Sequence, residues 1–417
     1  MAFHQRGIAS SLVEAIAEFP VVVVEGGRAV GKSTLCRTVI AGRGWPELLD
    51  LTDPGLVDAI RLDPIRYLGN LKGPVFVDEA QLLPELPLWV KRVVDERGGA
   101  PGQFVLTGSA RLGRDQLGGS DPLAGRSVRL RMWSLTPNER RDHPAPIAAR
   151  FFSDDVEMGY SGGEWDLGRW IRGGLPGLPG VLRESDNAVW ERSMSAYIES
   201  VLPLGATSTR VDHSRLLRAF RYLAANTAQQ LSLARMASEL QINAETARSY
   251  VESLENCFLV FRVEAHRPSE HKVLTAHPRI FASDIGLASW AAGLIDAKPN
   301  AALTGSILEN QVAHALVASI DWTSQRIAVR HWRDQRAKRE IDLLLLHPDG
   351  RSVPIEVKAS TSVGPADTIG LLAFAASNRQ SFYRGHVLYC GKRTIDLSPA
   401  DMPAGSIVAT PIDQVVG

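Results

Sequence analysis

A glycine-rich segment near the start of the chain has the residue types that bind phosphate. The segment from Gly26 to Ser33 is GGRAVGKS, which satisfies the pattern G-x-x-x-x-G-K-[ST] between an apolar run and a helix-forming stretch. Backbone N–H groups curl around phosphates in such loops, and the helix N-terminus adds partial positive charge. Lys32 is predicted to reach the β and γ phosphates of ATP, and Ser33 to hold Mg²⁺. The residues predicted to line the nucleotide are Gly26, Gly27, Arg28, Ala29, Val30, Gly31, Lys32, Ser33 and Thr34. The alternative is a glycine-rich turn that binds nothing.

Two adjacent acids follow the next buried strand. The sequence VFVDEAQ places Asp78 and Glu79 directly after the apolar residues Val75–Val77. Asp78 is predicted to act on Mg²⁺, and Glu79 to orient and polarise the attacking water. An acidic helix start is the alternative, since Asp and Glu are favoured there. Two acids in succession after a phosphate loop favour ATP hydrolysis over nucleotide binding alone.

Polar residues that end a further strand are predicted to sense the γ-phosphate. Thr107 and Ser109 follow the apolar run of GQFVLTGSARLG. Further along, DPLAGRSVRL contains Arg126, which we predict to be an arginine finger that acts on its own nucleotide or on a neighbour's. A solvated surface arginine is the alternative for Arg126.

A second group of charged residues lies in a predicted hairpin near the C-terminus. The stretch REIDLLLLHPDGRSVPIEVKAS reads as two apolar strands joined by a turn at Pro348, Asp349 and Gly350. Unpaired charge is costly in a buried hairpin, yet Asp342 and Glu356 are predicted at facing ends of the two strands. Lys358 projects on the same face as Glu356, because side chains two residues apart share a face.

This hairpin resembles the PD-(D/E)XK nuclease superfamily, with Glu309 on a preceding helix, Asp342 on the second strand and E-x-K at Glu356–Lys358. The resemblance implies Mg²⁺ held by Glu309, Asp342 and Glu356, with Lys358 orienting water or stabilising the transition state. The alternative is an ion-pair network in an inactive fold. A nearby basic run either contacts a nucleic-acid backbone or is a solvated edge; it comprises Arg326, Arg330, Arg333, Arg336, Lys338 and Arg339.

The elements that position these groups predict an α/β chain of several domains. Apolar strands separated by helices indicate a mostly parallel sheet with helices on both faces over residues 1–150. Gly and Pro become dense after Phe151, so residues 151–205 are predicted to form a helical linker. Residues 206–270 give three helices and a strand pair, and residues 271–417 give the order α-β-β-β-α-β.

The region 206–270 resembles a winged helix-turn-helix, with Asn243 as N-cap of its third helix. Such a module suggests DNA binding by the third helix. That helix, however, carries Glu245, Glu252 and Glu255 against Arg248. Because a DNA-binding surface is expected to be basic, the alternative of a packing or partner-contact module is favoured.

Four segments in order resemble the bacterial and archaeal AAA-type ATPases whose P-loop domain is fused to a C-terminal domain of unknown function. These segments are EGGRAVGKSTL, VFVDEAQ, VLTGSARL and LAGRSVRLRMWSLTPNE, and the resemblance continues through WIRGGLPGLP and HPRIFASDIGL. The resemblance implies that the chain binds ATP with Mg²⁺ and hydrolyses it. It also implies that copies of the chain form a homo-oligomer. Two readings stay open: an ATP-regulated metal-dependent nuclease on DNA or RNA, and an ATP-driven switch or scaffold whose nuclease-like domain is inert and binds a partner.

Composition indicates which partners and which cellular location to expect. Lys plus Arg equals Asp plus Glu at 46 each, so no global field attracts nucleic acid or anionic membrane, and any nucleic-acid site must be a local patch. The cysteines Cys36, Cys257 and Cys390 have no metal-ligand or disulfide spacing, which favours a reducing cytoplasm. Apolar runs fall short of the roughly 18 residues of a spanning helix, so no membrane partner is expected.

Overall fold

The computed structural model describes most of the 417 residues. The residues described are 4–42, 44, 47–71, 74–110, 121–153, 165–182, 186–205, 212–266, 277–294, 301–334 and 338–416. The predicted boundary at 205/206 borders residues that are not described, and the boundary at 270/271 lies among such residues. Arg336 of the basic run also lies outside the described residues.

The N-terminal part is built on a five-stranded sheet in which each pairing is parallel. Its strand order is β2-β3-β4-β1-β5. Val21–Val24 are fully buried, as expected for a parallel strand covered on both faces. The strands are β1 (Val21–Glu25), β2 (Glu47–Asp50), β3 (Val75–Asp78), β4 (Phe104–Gly108) and β5 (Ser127–Arg131). The predicted parallel α/β sheet is confirmed, and the carboxyl ends of β1, β3 and β4 share one edge.

Helices connect and flank these strands. The first of them, α1, packs its apolar face near β1, and α2 begins at the end of the glycine-rich segment. The helices of this part are α1 (Ala9–Glu18), α2 (Lys32–Ala41), α3 (Pro54–Leu62), α4 (Pro64–Asn70), α5 (Leu86–Glu96), α6 (Pro137–Arg140) and α7 (Ile147–Arg150). A 3₁₀ turn spans Ala80–Leu82 after β3.

The middle part contains the three helices that the sequence predicts, but the strand pair differs from the prediction, because β6 pairs with a strand that lies beyond residue 270. Asn243 caps the third helix, because its side chain accepts a hydrogen bond of 2.7 Å from the Thr246 N–H. One buried apolar cluster includes residues from Ile8 to Ile307, so these helices pack against the first sheet. The elements are α8 (Leu167–Trp170), α9 (Asn187–Gly205), α10 (His213–Ala225), α11 (Leu233–Leu240), α12 (Ala244–Asn256), β6 (Val260–Val263), β7 (Arg279–Ala282) and α13 (Ile285–Ala291).

The C-terminal part forms a mixed six-stranded sheet of order β12-β13-β11-β10-β9-β8. Pairs β8–β9 and β9–β10 are antiparallel, and β10–β11 is parallel. The predicted α-β-β-β-α-β order is present, followed by two strands and a helix that were not predicted. The elements are α14 (Ala301–Ile320), β8 (Ala328–Asp334), β9 (Arg339–Leu346), β10 (Ser352–Lys358), α15 (Ile369–Ser377), β11 (Gly385–Tyr389), β12 (Ile395–Asp396), β13 (Ile407–Pro411) and α16 (Ile412–Val416). Within the described ranges, no helix has the length and apolarity needed to cross a bilayer.

Candidate functional site

The glycine-rich loop adopts a conformation that its glycines make accessible. Gly31 lies at φ 98°, in the left-handed region that favours glycine, and α2 starts at the next residue. A Cβ at Gly26 would fall 2.0 Å from the Met132 carbonyl oxygen, so only glycine fits there. The Arg6 guanidinium donates a hydrogen bond of 2.7 Å to the Val30 carbonyl oxygen, which ties the loop to the N-terminal segment.

Lys32 is folded back onto the loop that carries it. Its Nζ donates to the carbonyl oxygens of Gly26 at 2.9 Å and Gly27 at 2.8 Å, and to Ser109 Oγ at 3.1 Å. Burial lowers the pKa of Lys32 to about 8, although Glu79 and Asp78 act in the opposite direction. Lys32 is therefore a buried cation at the mouth of the phosphate loop, held by groups that a phosphate oxygen can replace.

Asp78 is the acceptor on which three predicted elements converge. Its Oδ1 accepts from Ser33 Oγ at 2.7 Å and from Thr107 Oγ1 at 2.6 Å. The Arg37 guanidinium donates to Oδ2 at 3.2 Å. A serine hydroxyl beside an aspartate carboxylate is an oxygen donor set that suits Mg²⁺, so Ser33 and Asp78 fit the predicted ion. Arg37 was not predicted, although it lies one helical turn after Ser33.

Glu79 is held next to Asp78 in an unusual backbone conformation. It lies at φ 55° and ψ 44°, a left-handed position that is sparsely populated by glutamate and clusters at functional sites. Its N–H donates to Thr107 Oγ1 at 3.1 Å. Its carboxylate accepts from Gln81 Nε2 and from Ser109 Oγ at 3.4 Å. Gln81 was not predicted; its Oε1 also accepts from the Ser109 N–H, so it joins β3 to β4 at the site.

Arg126 lies at the opposite edge of the sheet. Its carbonyl oxygen accepts from the Val21 N–H at the start of β1, and the five residues of β1 put roughly 13 Å between the two edges. Its guanidinium is paired with Asp95, at 3.0 Å between Nη2 and Oδ2. The prediction that Arg126 acts on its own nucleotide does not fit this position. A role towards a neighbour's nucleotide stays a prediction.

The predicted carboxylates of the C-terminal part meet around an arginine. The buried guanidinium of Arg279, from β7, contacts Glu309, and its Nη1 lies 3.2 Å from Asp342 Oδ1. Glu340 lies 3.6 Å from its Nη2. Burial would lower the pKa of Arg279, but the surrounding carboxylates outweigh it and raise the pKa. Arg279 was not predicted, although it stands within the quoted segment HPRIFASDIGL.

Glu356 and Lys358 complete this cluster. Asp342 Oδ2 accepts from the Val357 N–H at 3.0 Å, and Lys358 Nζ lies 3.3 Å from Glu356 Oε2. Burial and the Asp342 charge raise the pKa of Glu356 to about 9, and burial also raises that of Glu309. The structure thus brings Glu309, Asp342, Glu356 and Lys358 together, as the sequence predicts. Among the described residues, however, no group of three or more His, Cys, Asp or Glu side chains is arranged to hold a metal.

We expect the affinity of the predicted ATP site to depend on pH, because burial lowers the pKa of Lys32. Phosphate favours the charged amine and raises its pKa, so binding takes up a proton above about pH 8. We expect affinity to be constant below that value and to fall by up to about tenfold per pH unit above it. Calorimetry at about pH 8.5, in two buffers of different ionisation enthalpy, should show roughly three quarters of a proton taken up per site.

The other titratable or charged groups near Lys32 do not reverse the direction of this pH dependence. They are Glu79, Asp78, Cys36 and Arg28. Burial raises the pKa of Cys36, so its thiol stays neutral over this range. Equal affinity at about pH 7 and about pH 9 would contradict the prediction.

Comparison with known proteins assigns the N-terminal part. Residues 18–140 match the family model of an AAA domain. Residues 167–298 and 304–414 match two domains of unknown function, DUF8612 and DUF4143. The match, together with the parallel sheet and its glycine-rich loop, supports an AAA-type P-loop domain over residues 18–140.

Two curated proteins match along the whole chain. They are the uncharacterized proteins Rv2008c of Mycobacterium tuberculosis and Mb2031c of Mycobacterium bovis. Each is 29% identical over 428 residues, which cover 100% of this chain and 85% of the relative.

Solved structures match more distantly. The Walker-type ATPase PABY2304 of Pyrococcus abyssi has a TM-score of 0.41 at 19% identity, over 70% of this chain and 96% of its own. The RuvB Holliday junction branch migration motor of Thermotoga maritima has a TM-score of 0.30 at 16% identity, over 66% and 95%. AMPPCP-bound DnaA of Aquifex aeolicus has a TM-score of 0.26 at 13% identity, over 60% and 86%.

Proposed function

We propose that this chain is an ATP-hydrolysing molecular switch of the AAA type whose C-terminal domain contacts a partner and is catalytically inert. The observation that carries the ATPase part is the convergence of Lys32, Ser33, Asp78 and Glu79 at one sheet edge. Such a convergence gives a cation for phosphate, a ligand pair for Mg²⁺ and a carboxylate for water. We also propose the cytoplasm as its location and a homo-oligomer as its working form.

Each residue of the site has a separate role in the proposed reaction. Lys32 exchanges the carbonyl oxygens of Gly26 and Gly27 for phosphate oxygens of ATP. Ser33 and Asp78 would hold Mg²⁺, which neutralises phosphate charge when it is bound. Glu79 orients a water molecule and withdraws its proton as the water attacks the γ-phosphorus, and ADP leaves. Gln81 and Ser109 keep the Glu79 carboxylate in place.

One loop is placed to carry the state of the nucleotide to the rest of the chain. The Gly177 N–H donates to the Ala29 carbonyl oxygen in the phosphate loop at 3.1 Å. Three residues earlier, the Gly174 N–H donates to Asp284 Oδ2 at 2.8 Å. Asp284 follows β7, the strand of Arg279. A shift of the phosphate loop on ATP binding would therefore reach the arginine-centred cluster through residues 174–177.

The arginine at that cluster favours the inert reading of the C-terminal domain over the nuclease reading. Arg279 contacts Glu309 and Asp342, two of the three carboxylates that a nuclease would use for metal. Lys358 pairs with Glu356, the third. The ligands thus have protein cations already, and a divalent ion would have to displace a buried guanidinium.

The helices α10, α11 and α12 with β6 and β7 support a winged-helix module that meets a protein rather than DNA. The exposed side chains of α12 include Glu245 and Glu252 with Arg248. Such a surface repels phosphate. Nucleic acid remains a partner to be tested, and the basic residues around β8 are the surface that would contact it. Of these residues, Arg333 donates a hydrogen bond to Gln230.

Replacing Glu79 by Gln tests the proposed ATPase directly. The amide has nearly the same shape but accepts no proton, so ATP binding should be kept while turnover falls by at least about 10²-fold. Phosphate release and fluorescent-nucleotide binding measure the two quantities. Glu85→Gln makes the same charge change at an exposed position and should alter neither. Unchanged hydrolysis in Glu79→Gln would defeat the role of Glu79.

A further inference from the structure

A cavity of about 400 Å³, whose described lining contains no residue of the phosphate loop, lies between α7 and the C-terminal sheet. One wall is α7 with the residues up to Ser153, and the other comes from β11, β13 and α16. Its volume lies in the range of small-molecule sites. The lining residues are Ile147, Arg150, Phe151, Ser153, Arg384, His386, Thr394, Thr410, Gln414 and Val415.

The wall of this cavity is positive. Among the described residues, its lining contains Arg150 and Arg384 and no carboxylate. Within the part of the chain that the structure describes, neither guanidinium forms an ion pair. Arg384 donates through Nε to the Gly405 carbonyl oxygen at 3.1 Å and through Nη1 to that of Ser153 at 3.2 Å. Both contacts are to neutral oxygens, and the guanidinium also lies 5.3 Å from the centroid of the Tyr383 ring, so no described carboxylate neutralises its charge.

A buried polar side chain in the wall also lacks a partner. His386 is 5% exposed, and its Nδ1 lies 3.1 Å from Thr410 Oγ1. Its Nε2 has no hydrogen-bond partner among the described residues. Burial and the charge of Arg384 lower the pKa of His386 to about 3, so the ring is neutral. Native structures rarely leave a buried ring nitrogen unsatisfied without a ligand or water to explain it.

The remaining wall is apolar and aromatic. Ile147 and Phe151 are buried, and the Phe151 ring stands edge-to-face with His386 at 4.9 Å between centroids. Thr394 and Gln414 add hydroxyl and amide groups, joined to each other at 3.1 Å. Apolar walls with a few polar groups suit a flat ring that carries hydrogen-bonding atoms.

We infer that this cavity binds a small aromatic anion of the size and charge of a nucleoside monophosphate. Arg150 and Arg384 take the anionic group, Ile147 and Phe151 contact the ring, and His386 with Gln414 bonds its polar edge. Such a ligand would bridge the segment after the ATPase domain to the C-terminal sheet. The site is separate from the proposed ATP site and does not depend on it.

Thermal unfolding of the Lys32→Met chain tests this inference without interference from the phosphate loop. At concentrations well above Kd, AMP or UMP should raise Tm by about 2 °C. Inorganic phosphate and adenosine, which supply the charge and the ring separately, should not. Arg150 is exposed and has no described partner, so Arg150→Gln should fold normally and weaken AMP binding by roughly tenfold or more.

A matched control keeps the result specific. Arg326→Gln removes an equally exposed arginine from another part of the C-terminal domain and should leave the AMP shift unchanged. Absence of a shift with AMP and UMP would overturn the inference. So would a shift that survives Arg150→Gln and Arg384→Gln. A shift of equal size with inorganic phosphate alone would overturn the aromatic part of the assignment.

Discussion

Lys32→Met is expected to lower kcat/KM for ATP by about 10³-fold to 10⁵-fold. Met has nearly the same length, so the change removes the charge and its hydrogen bonds and little volume. Loss of a charge-assisted bond to phosphate weakens binding by roughly 10-fold to 100-fold. Loss of a cation that stabilises the transition state lowers turnover by a further 10²-fold to 10³-fold, roughly. Phosphate release at several ATP concentrations separates the two effects.

The fold of the variant should be unharmed, because the lysine is costly where it lies. Burial disfavours its charge strongly enough to lower its pKa to about 8, so an apolar side chain removes that cost. We therefore expect the Tm of Lys32→Met, measured without nucleotide, to equal or exceed that of the parent. Lys91→Met, on α5, makes the same charge change away from the site and should keep activity. Hydrolysis by Lys32→Met at the parent's rate would rule out the phosphate loop as the ATP site.

Features encoded in one short stretch could be predicted from the sequence. The phosphate loop, the acids at 78 and 79 and the residues at 107 and 109 follow apolar strands, and parallel strands bring their carboxyl ends to one edge. Their convergence on Asp78 follows from that rule. Arg126 stands before its strand, which places it at the other edge, so a role on its own nucleotide does not fit and a role towards a neighbour's nucleotide stays a prediction.

Contacts between side chains from distant parts of the sequence could not be predicted. The sequence offered Lys358 as the counter-ion of the carboxylates, because it lies two residues from Glu356. Arg279 comes from a strand of the middle part, 30 residues before Glu309 and 63 before Asp342. Only the folded chain places its guanidinium there. The positive cavity is likewise assembled from segments as far apart as Arg150 and Arg384, with no local motif to indicate it.

Arg279→Met should lower the free energy of unfolding by about 3–5 kcal/mol, the usual cost of removing one partner from a buried ion pair. Glu309 and Asp342 would then lie together with no guanidinium between them. Burial and Asp342 already raise the pKa of Glu309, and Arg279 is the group that counteracts them. Without Arg279 that pKa rises further, so the native state binds more protons than the unfolded state. The variant should therefore lose stability as pH rises from about 5 to about 8, more steeply than the parent does.

Chemical denaturation across this pH range, without nucleotide, measures the effect. The matched control is Arg262→Met on the neighbouring strand β6, which removes a more exposed ion pair with Glu255 of α12 and should cost less stability. Mn²⁺ should stabilise Arg279→Met more than the parent, because it can replace the lost charge among oxygen ligands. If Mn²⁺ stabilises the parent equally, and the parent cleaves DNA or RNA in a metal-dependent way that Asp342→Ala abolishes, the nuclease reading displaces the switch. If Arg279→Met is as stable as the parent at every pH, Arg279 does not hold the cluster together, and the case for an arginine-filled, inert site falls with it.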